Sequence, residues 1–144
     1  MIAAKVGKNI FDYINEIKNS KIKQTMKKRV QEYSFKTDLI DKFEKIDEKH
    51  SLIAFSAEWN PECQAQIPIL AKLLIVTKNN NLVVKVIELD ENRDIAEEFG
   101  VTQVPTIIVY DKRWNELGRF VEKPKNYSTL EEELWSIFEK KYKN

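Results

Sequence analysis

The sequence predicts an α/β fold in three layers, α/β/α, with a mixed central sheet, helices on both of its faces and a helical extension in front. Three observations predict it. Leu52–Phe55 is a short continuous apolar run, the pattern of a strand covered on both faces. Leu82-Val83-Val84-Lys85-Val86-Ile87-Glu88-Leu89 is a second strand, rich in β-branched residues. Between them, residues 61–79 read as a helix, so the pair forms a βαβ unit and its two strands should run parallel.

The elements follow in chain order. Residues 9–48 read as helices in series with three apolar stripes: Ile10, Ile14 and Ile17; then Ile22, Met26, Val30 and Tyr33; then Leu39, Ile40, Phe43 and Ile46, with Thr37 as the cap of the third. These residues are too few to build a core of their own, so residues 1–48 are expected to pack as an extension on a domain spanning 49–144. Asp90 should cap a helix that runs to Phe99 and ends at Gly100. Val104–Tyr110 and Leu117–Val121 flank a turn at Asp111–Asn115 and should form an antiparallel hairpin. Ser128 and Glu131 have capping-box spacing for a last helix that turns Leu130, Leu134, Ile137 and Phe138 inward.

The turn between the first strand and its helix carries the chemistry. In Trp59-Asn60-Pro61-Glu62-Cys63, Asn60 is a favoured helix N-cap, and Pro61 stands at the first helical position, where its missing N–H costs nothing. Glu62 suits the positive end of the helix dipole. Cys63, the single cysteine of the chain, falls at the third helical position, where unpaired N–H groups favour a thiolate.

This segment resembles the Trp-Cys-x-x-Cys motif of the thioredoxin family, with asparagine in place of the first cysteine. Pro68, five residues past Cys63, matches the proline inside that family's active-site helix, and Phe99–Thr106 matches the segment with its cis-proline. The hairpin with Gly118 and the final helix complete a likeness that covers roughly residues 45–144 and rests on several ordered features. The helical leader resembles that of a bacterial and archaeal subgroup whose motif is Trp-Cys-x-Asp-Cys; Glu62 stands at the subgroup's aspartate.

The resemblance implies a thiol-redox scaffold in which Trp59 is an exposed aromatic platform, the peptide before Pro105 is cis, and the Val104 main chain pairs with an extended substrate segment. Trp59, Asn60, Pro61, Val104, Pro105 and Thr106 form the expected recognition surface around Cys63, the expected catalytic residue. Asn60 itself is explained by capping. Family members carry a buried acid and a lysine that move protons; here those positions hold Ala54 and Val86.

One cysteine excludes dithiol cycling within a chain by counting alone. Two functions stay open. Cys63 could run monothiol exchange with protein thiols or glutathione, or the chain could be a redox-inactive adaptor that binds extended segments, with Cys63 a buried small hydrophobe.

Composition narrows the rest. Basic and acidic residues are nearly balanced, 24 against 23, so no global field points to nucleic acid or a membrane. The basic run Lys18, Lys21, Lys23, Lys27, Lys28 and Arg29 is better explained as a solvated helix face than as a nucleic-acid contact. His50 has no cysteine or histidine at ligand spacing, so no metal is expected, and three glycines argue against a phosphate loop; no cofactor is expected. Asn126-Tyr127-Ser128 matches a glycosylation sequon, but a cap explains Ser128. With one cysteine, no apolar run long enough to span a bilayer and no signal-peptide pattern, a cytoplasmic protein is expected.

Overall fold

The computed structural model describes residues 1–142. The elements are α1 (Ile2–Val6), β1 (Lys8–Asn9), α2 (Ile10–Asn15), α3 (Ser20–Glu32), α4 (Thr37–Glu44), β2 (His50–Ser56), α5 (Pro61–Thr77), β3 (Leu82–Glu88), α6 (Arg93–Glu98), β4 (Thr106–Tyr110), β5 (Glu116–Val121) and α7 (Leu130–Tyr142). A single sheet of five strands has the order β1-β3-β2-β4-β5.

The βαβ unit fixes the centre. β2 and β3 are parallel, with Ala54 opposite Val86, while β4 runs antiparallel to β2 and brings Thr106 opposite Phe55. Every residue of β2 and β4 is buried, as a strand covered on both faces requires. The β4–β5 hairpin closes over Asp111, whose carboxylate accepts from the amides of Arg113 and Asn115, with a register shift at Val109/Tyr110.

All three apolar stripes of the leader face the core. Ile10, Ile14, Ile17, Met26, Leu39, Phe43 and Ile46 are buried, and Ile22, Val30, Tyr33 and Ile40 pack against them. Phe43 meets Trp135 and Phe138 of α7 edge to face, at 5.3 and 5.7 Å between ring centroids. Polar ties supplement the packing: Arg29 Nε donates to the Ala65 carbonyl at 2.6 Å, and Asn79 Nδ2 to that of Phe43 at 2.9 Å. Leu130, Leu134, Ile137 and Phe138 are buried, as the inward face of α7 demands.

Four local expectations are corrected. Thr37 is the first helical residue, not the cap; Lys36 stands at the N-cap without a side-chain bond. Asp90 caps no helix: Leu89–Glu91 forms a single 3-10 turn and α6 begins only at Arg93, because Asp90 is drawn sideways to Trp59 and Arg93. Thr129, not Ser128, caps α7, accepting from the Glu132 amide at 3.2 Å and donating to the Glu132 carboxylate at 2.9 Å. β4 starts at Thr106 and leaves Val104 and Pro105 in the loop before it. The two-residue β1, which pairs antiparallel with the edge of β3, is an addition that no sequence period announces.

Candidate functional site

The site grows from the C-terminal end of β2. The chain leaves the sheet at Ser56, turns through Ala57–Trp59 and enters α5 at Pro61. Asn60 Oδ1 accepts the Cys63 amide at 3.0 Å, so one of the unpaired donors of the helix start is already satisfied. Pro61 is exposed, and the acidic Glu62 lies in the first turn.

Cys63 lies on the inward side of that turn. Its residue is 0% exposed, and Sγ accepts the Ala57 amide at 3.4 Å. Burial pushes its thiol up to about 11, against the opposing pull of the Ala57 amide and the Ser56 hydroxyl; the charges of Glu88 and Glu62 push the same way as burial. This corrects the expectation of a favoured thiolate. A side chain at the third helical position points in the direction of Ile67 and Leu70, one and two turns further on, both fully buried against the sheet. The loss of hydration outweighs the helix start.

Pairing of Thr106 with Phe55 brings the loop before β4 to the same end of the sheet as the 57–63 turn. The Val104–Pro105 peptide is cis. Val104, Pro105 and Thr106 are all buried, and the Thr106 hydroxyl is taken by the Gln103 carbonyl at 2.6 Å. In this loop the Pro105 carbonyl accepts from Glu122, whereas the peptide groups of Val104 have no hydrogen-bond partner among the described residues.

Trp59 goes the other way. It is 56% exposed and leans toward the end of β3, where its Nε1–H donates to Asp90 Oδ2 at 2.7 Å. Since β3 and β4 flank β2 on opposite sides, the structure gathers Cys63, Asn60, Val104 and Pro105 around the end of β2 and swings the indole toward the β3 side.

Sequence reasoning missed a polar chain behind the thiol. Tyr13 of α2 shares a hydrogen bond of 3.0 Å with Ser56 Oγ, and its hydroxyl donates to Glu88 Oε1 at 3.3 Å, which also accepts the Glu58 amide at 3.3 Å. Burial raises the Glu88 carboxyl above the ordinary range, and burial likewise raises the Tyr13 phenol. Ala54 and Val86 are buried and apolar, and the acid in this chain of contacts is Glu88, two residues beyond Val86 on β3. The available signal is a carboxylate at the end of a largely apolar strand.

Among the described residues no group of histidine, cysteine and acidic side chains is arranged to hold a metal ion. No helix among them is long and apolar enough to cross a membrane.

Comparison with known proteins places this geometry. A family model described as Thioredoxin matches residues 7–135, which takes in most of the helical leader. Protein disulfide isomerase-like 2-2 of Oryza sativa subsp. japonica is 33% identical over 76 residues, 50% of this chain and 20% of that protein. A thioredoxin of Chlamydia pneumoniae is 36% identical over 70 residues, 49% of this chain and 66% of that protein. The chain thus spans a fifth of the rice protein and just under two thirds of the chlamydial one. A solved structure of a protein of unknown function from Pseudomonas aeruginosa superposes with a TM-score of 0.76, covering 87% of this chain and 77% of that one; at 18% identity this is a likeness of fold. With a family model matched over residues 7–135, most of its length, the chain belongs to the thioredoxin family.

Proposed function

We propose that this chain is a redox-inactive binding module of the thioredoxin type, working through the surface its relatives use to hold a substrate. The observation that carries the reading is Cys63, fully buried and with its thiol pushed up to about 11 by that burial. A sulfur in that state is neither exposed nor ionised, and both are needed for attack on a disulfide. The recognition elements remain: the exposed Trp59, Pro61 beside it, and the Val104 main chain before Pro105, suited to strand-like pairing with an extended segment of a partner protein. Asn60 serves as the helix cap, and Thr106 fixes the loop through Gln103.

In this reading residues 1–48 act as an extension of the 49–144 fold, sharing its core through Phe43, Met26 and Ile10. A cytoplasmic setting fits a chain whose single thiol has no disulfide partner.

Monothiol exchange with protein thiols or glutathione is the competing function, and it makes the opposite prediction for one rate. Native Cys63 should react with iodoacetamide at pH 7.5 at least ~100-fold more slowly than free cysteine, since thiolate fraction and access both fall. Labelling at the free-cysteine rate, with an apparent pKa at or below about 8.5, would overturn the module reading and make Cys63 catalytic.

A further inference from the structure

Two different parts of the chain close over the Cys63 sulfur. Along α5 it shares a helix face with Ile67 and Leu70, and Ala57 at the exit of β2 gives it an amide; all three are 0% exposed. Toward β3 the cover is of another kind. The Ser56 hydroxyl bonds the thiol, and Ser56 Oγ in turn shares a buried hydrogen bond of 3.0 Å with the hydroxyl of Tyr13, 43 residues earlier in the chain. That hydroxyl also donates to Glu88 Oε1 at 3.3 Å.

Beyond Tyr13 the packing stops. A groove of about 640 Å³ runs between the leader and the turn, walled by Tyr13, Glu16 and Ile17 on one side and by Glu58, Trp59 and Glu88 on the other. Tyr13 is 6% exposed at its wall, while Ser56 and Cys63, both 0% exposed, lie behind it. One aromatic ring of the leader therefore separates an open groove from the hydroxyl that touches the sulfur. The ring is held in place by its own segment: Ile10, Ile14 and Ile17 are buried around it, and β1 pairs with the edge of β3 just before it. Swinging the phenol into the groove would break its bonds to Ser56 and Glu88 together.

We propose that Tyr13 is an autoinhibitory contact: its ring plugs the β3-side approach to Cys63, so that the leader, and not the sheet and α5 alone, keeps the thiol silent. The assignment rests on the binding-module reading, in which the thiol is silent, and names what silences it. Truncating the ring joins the groove to Ser56 and admits water and a small electrophile to Sγ. Burial is the largest cause of the raised thiol, so hydration from the groove also favours the thiolate. Removing the hydroxyl alone leaves the ring in the way.

The test is the rate of iodoacetamide labelling of Cys63 in the full chain, followed by mass spectrometry at several urea concentrations below the unfolding transition. Wild type is compared with Tyr13→Ala, Tyr13→Phe and Ile14→Ala, the last a cavity in the same helix away from the plug. Tyr13→Ala should label at least about tenfold faster than wild type, at a rate that does not depend on urea, because access arises in the native state. Tyr13→Phe should stay within about twofold of wild type. Tyr13→Leu, which stays apolar but falls short of Ser56, should show the same urea-independent rise and replaces the alanine variant if that does not fold. If neither truncation speeds labelling, or if the rise follows urea with the slope of global unfolding, the plug is overturned and the module reading stands. An equal rise in Tyr13→Phe or Ile14→Ala overturns it as well, since the ring would then be no barrier or any loosening of α2 would suffice. Wild-type labelling at the free-cysteine rate would sink the module reading and the plug with it.

Discussion

The turn from Ala57 to Cys63 has a sealed side and an open side, and the contrast between them says what the fold has kept. On the sealed side, Cys63 is 0% exposed and faces Ser56 and the buried strands. On the open side, Trp59 is 56% exposed and walls a groove. The two residues are separated by a single helix start, yet one is solvated and the other is not. Chemistry at sulfur needs ionisation and access, whereas recognition needs a fixed, exposed shape. On the proposed reading this molecule withholds the former and offers the latter.

The strongest way to break that contrast is to put a second sulfur at the boundary. Asn60 and Cys63 stand at the cap and the third position of α5, bonded through Asn60 Oδ1 and the Cys63 amide. Asn60→Cys should therefore close a 60–63 disulfide on oxidation and confer dithiol reductase activity that the parent lacks. Thiol titration with and without oxidant, alongside an insulin reduction assay, measures both. Persistent free thiols in the oxidised variant would mean that the sealed sulfur does not turn toward the cap.

Next in size is a difference in stability. Phe43 of the leader is fully buried among Trp135 and Phe138, so Phe43→Ala should cost ~3–5 kcal/mol in urea unfolding. Trp59→Ala, on the open side, should cost no more than about 1 kcal/mol, since it removes an exposed ring and one exposed hydrogen bond. A comparable loss for both would mean that the indole is structural and that its exposure has no bearing on recognition.

How far the sequence reveals this contrast depends on which kind of information it carries. Apolar runs at Leu52–Phe55 and Leu82–Leu89, with a helix between them, suffice for the βαβ unit, because burial on both faces leaves a direct trace in composition. The N-cap at Asn60 is equally legible, since its bond is local. That Cys63 shares a helix face with Ile67 and Leu70 is also legible by period; not legible is that the loss of hydration on that face outweighs the helix start in setting the thiol. Glu88 was hidden for a different reason: its partners, Tyr13 and Glu58, come from other elements. The overlapping residues Ser128-Thr129-Leu130-Glu131-Glu132 contain two capping boxes one residue apart, and the choice falls on Thr129 because it puts Leu130 and Leu134 in the core. β1 is two residues long, too short for any period to register.

Proton linkage gives a smaller and more selective test of the sealed side. The folded-state thiol of Cys63 is raised to about 11, so the neutral form is favoured by folding. Its contribution is fully present below the unfolded value of roughly 8.5 and is lost as pH rises through 11. Between pH 8 and pH 11 the wild type should lose about 3 kcal/mol more than Cys63→Ala, read from urea midpoints of the two proteins at each pH. Using the variant as the reference cancels the tyrosines, which titrate in both. Parallel curves would mean that the thiol is hydrated in the native state.

The smallest expected effect concerns the residue on which both sides hinge. Asn60 Oδ1 closes the start of α5 over the sealed side, and the same residue leads into the exposed Pro61. If its task is to cap, Asn60→Ala should cost about 1 kcal/mol and Asn60→Asp almost nothing, because a carboxylate accepts the same amide and suits the helix dipole. Peptide binding should be unchanged in the aspartate variant at equal occupancy of the folded state. Were the asparagine amide instead a donor to the bound segment, the order would reverse: Asn60→Asp would keep its stability and lose affinity. Thermal unfolding and peptide titration on these two variants therefore separate a residue that holds the helix in place from one that also holds the partner.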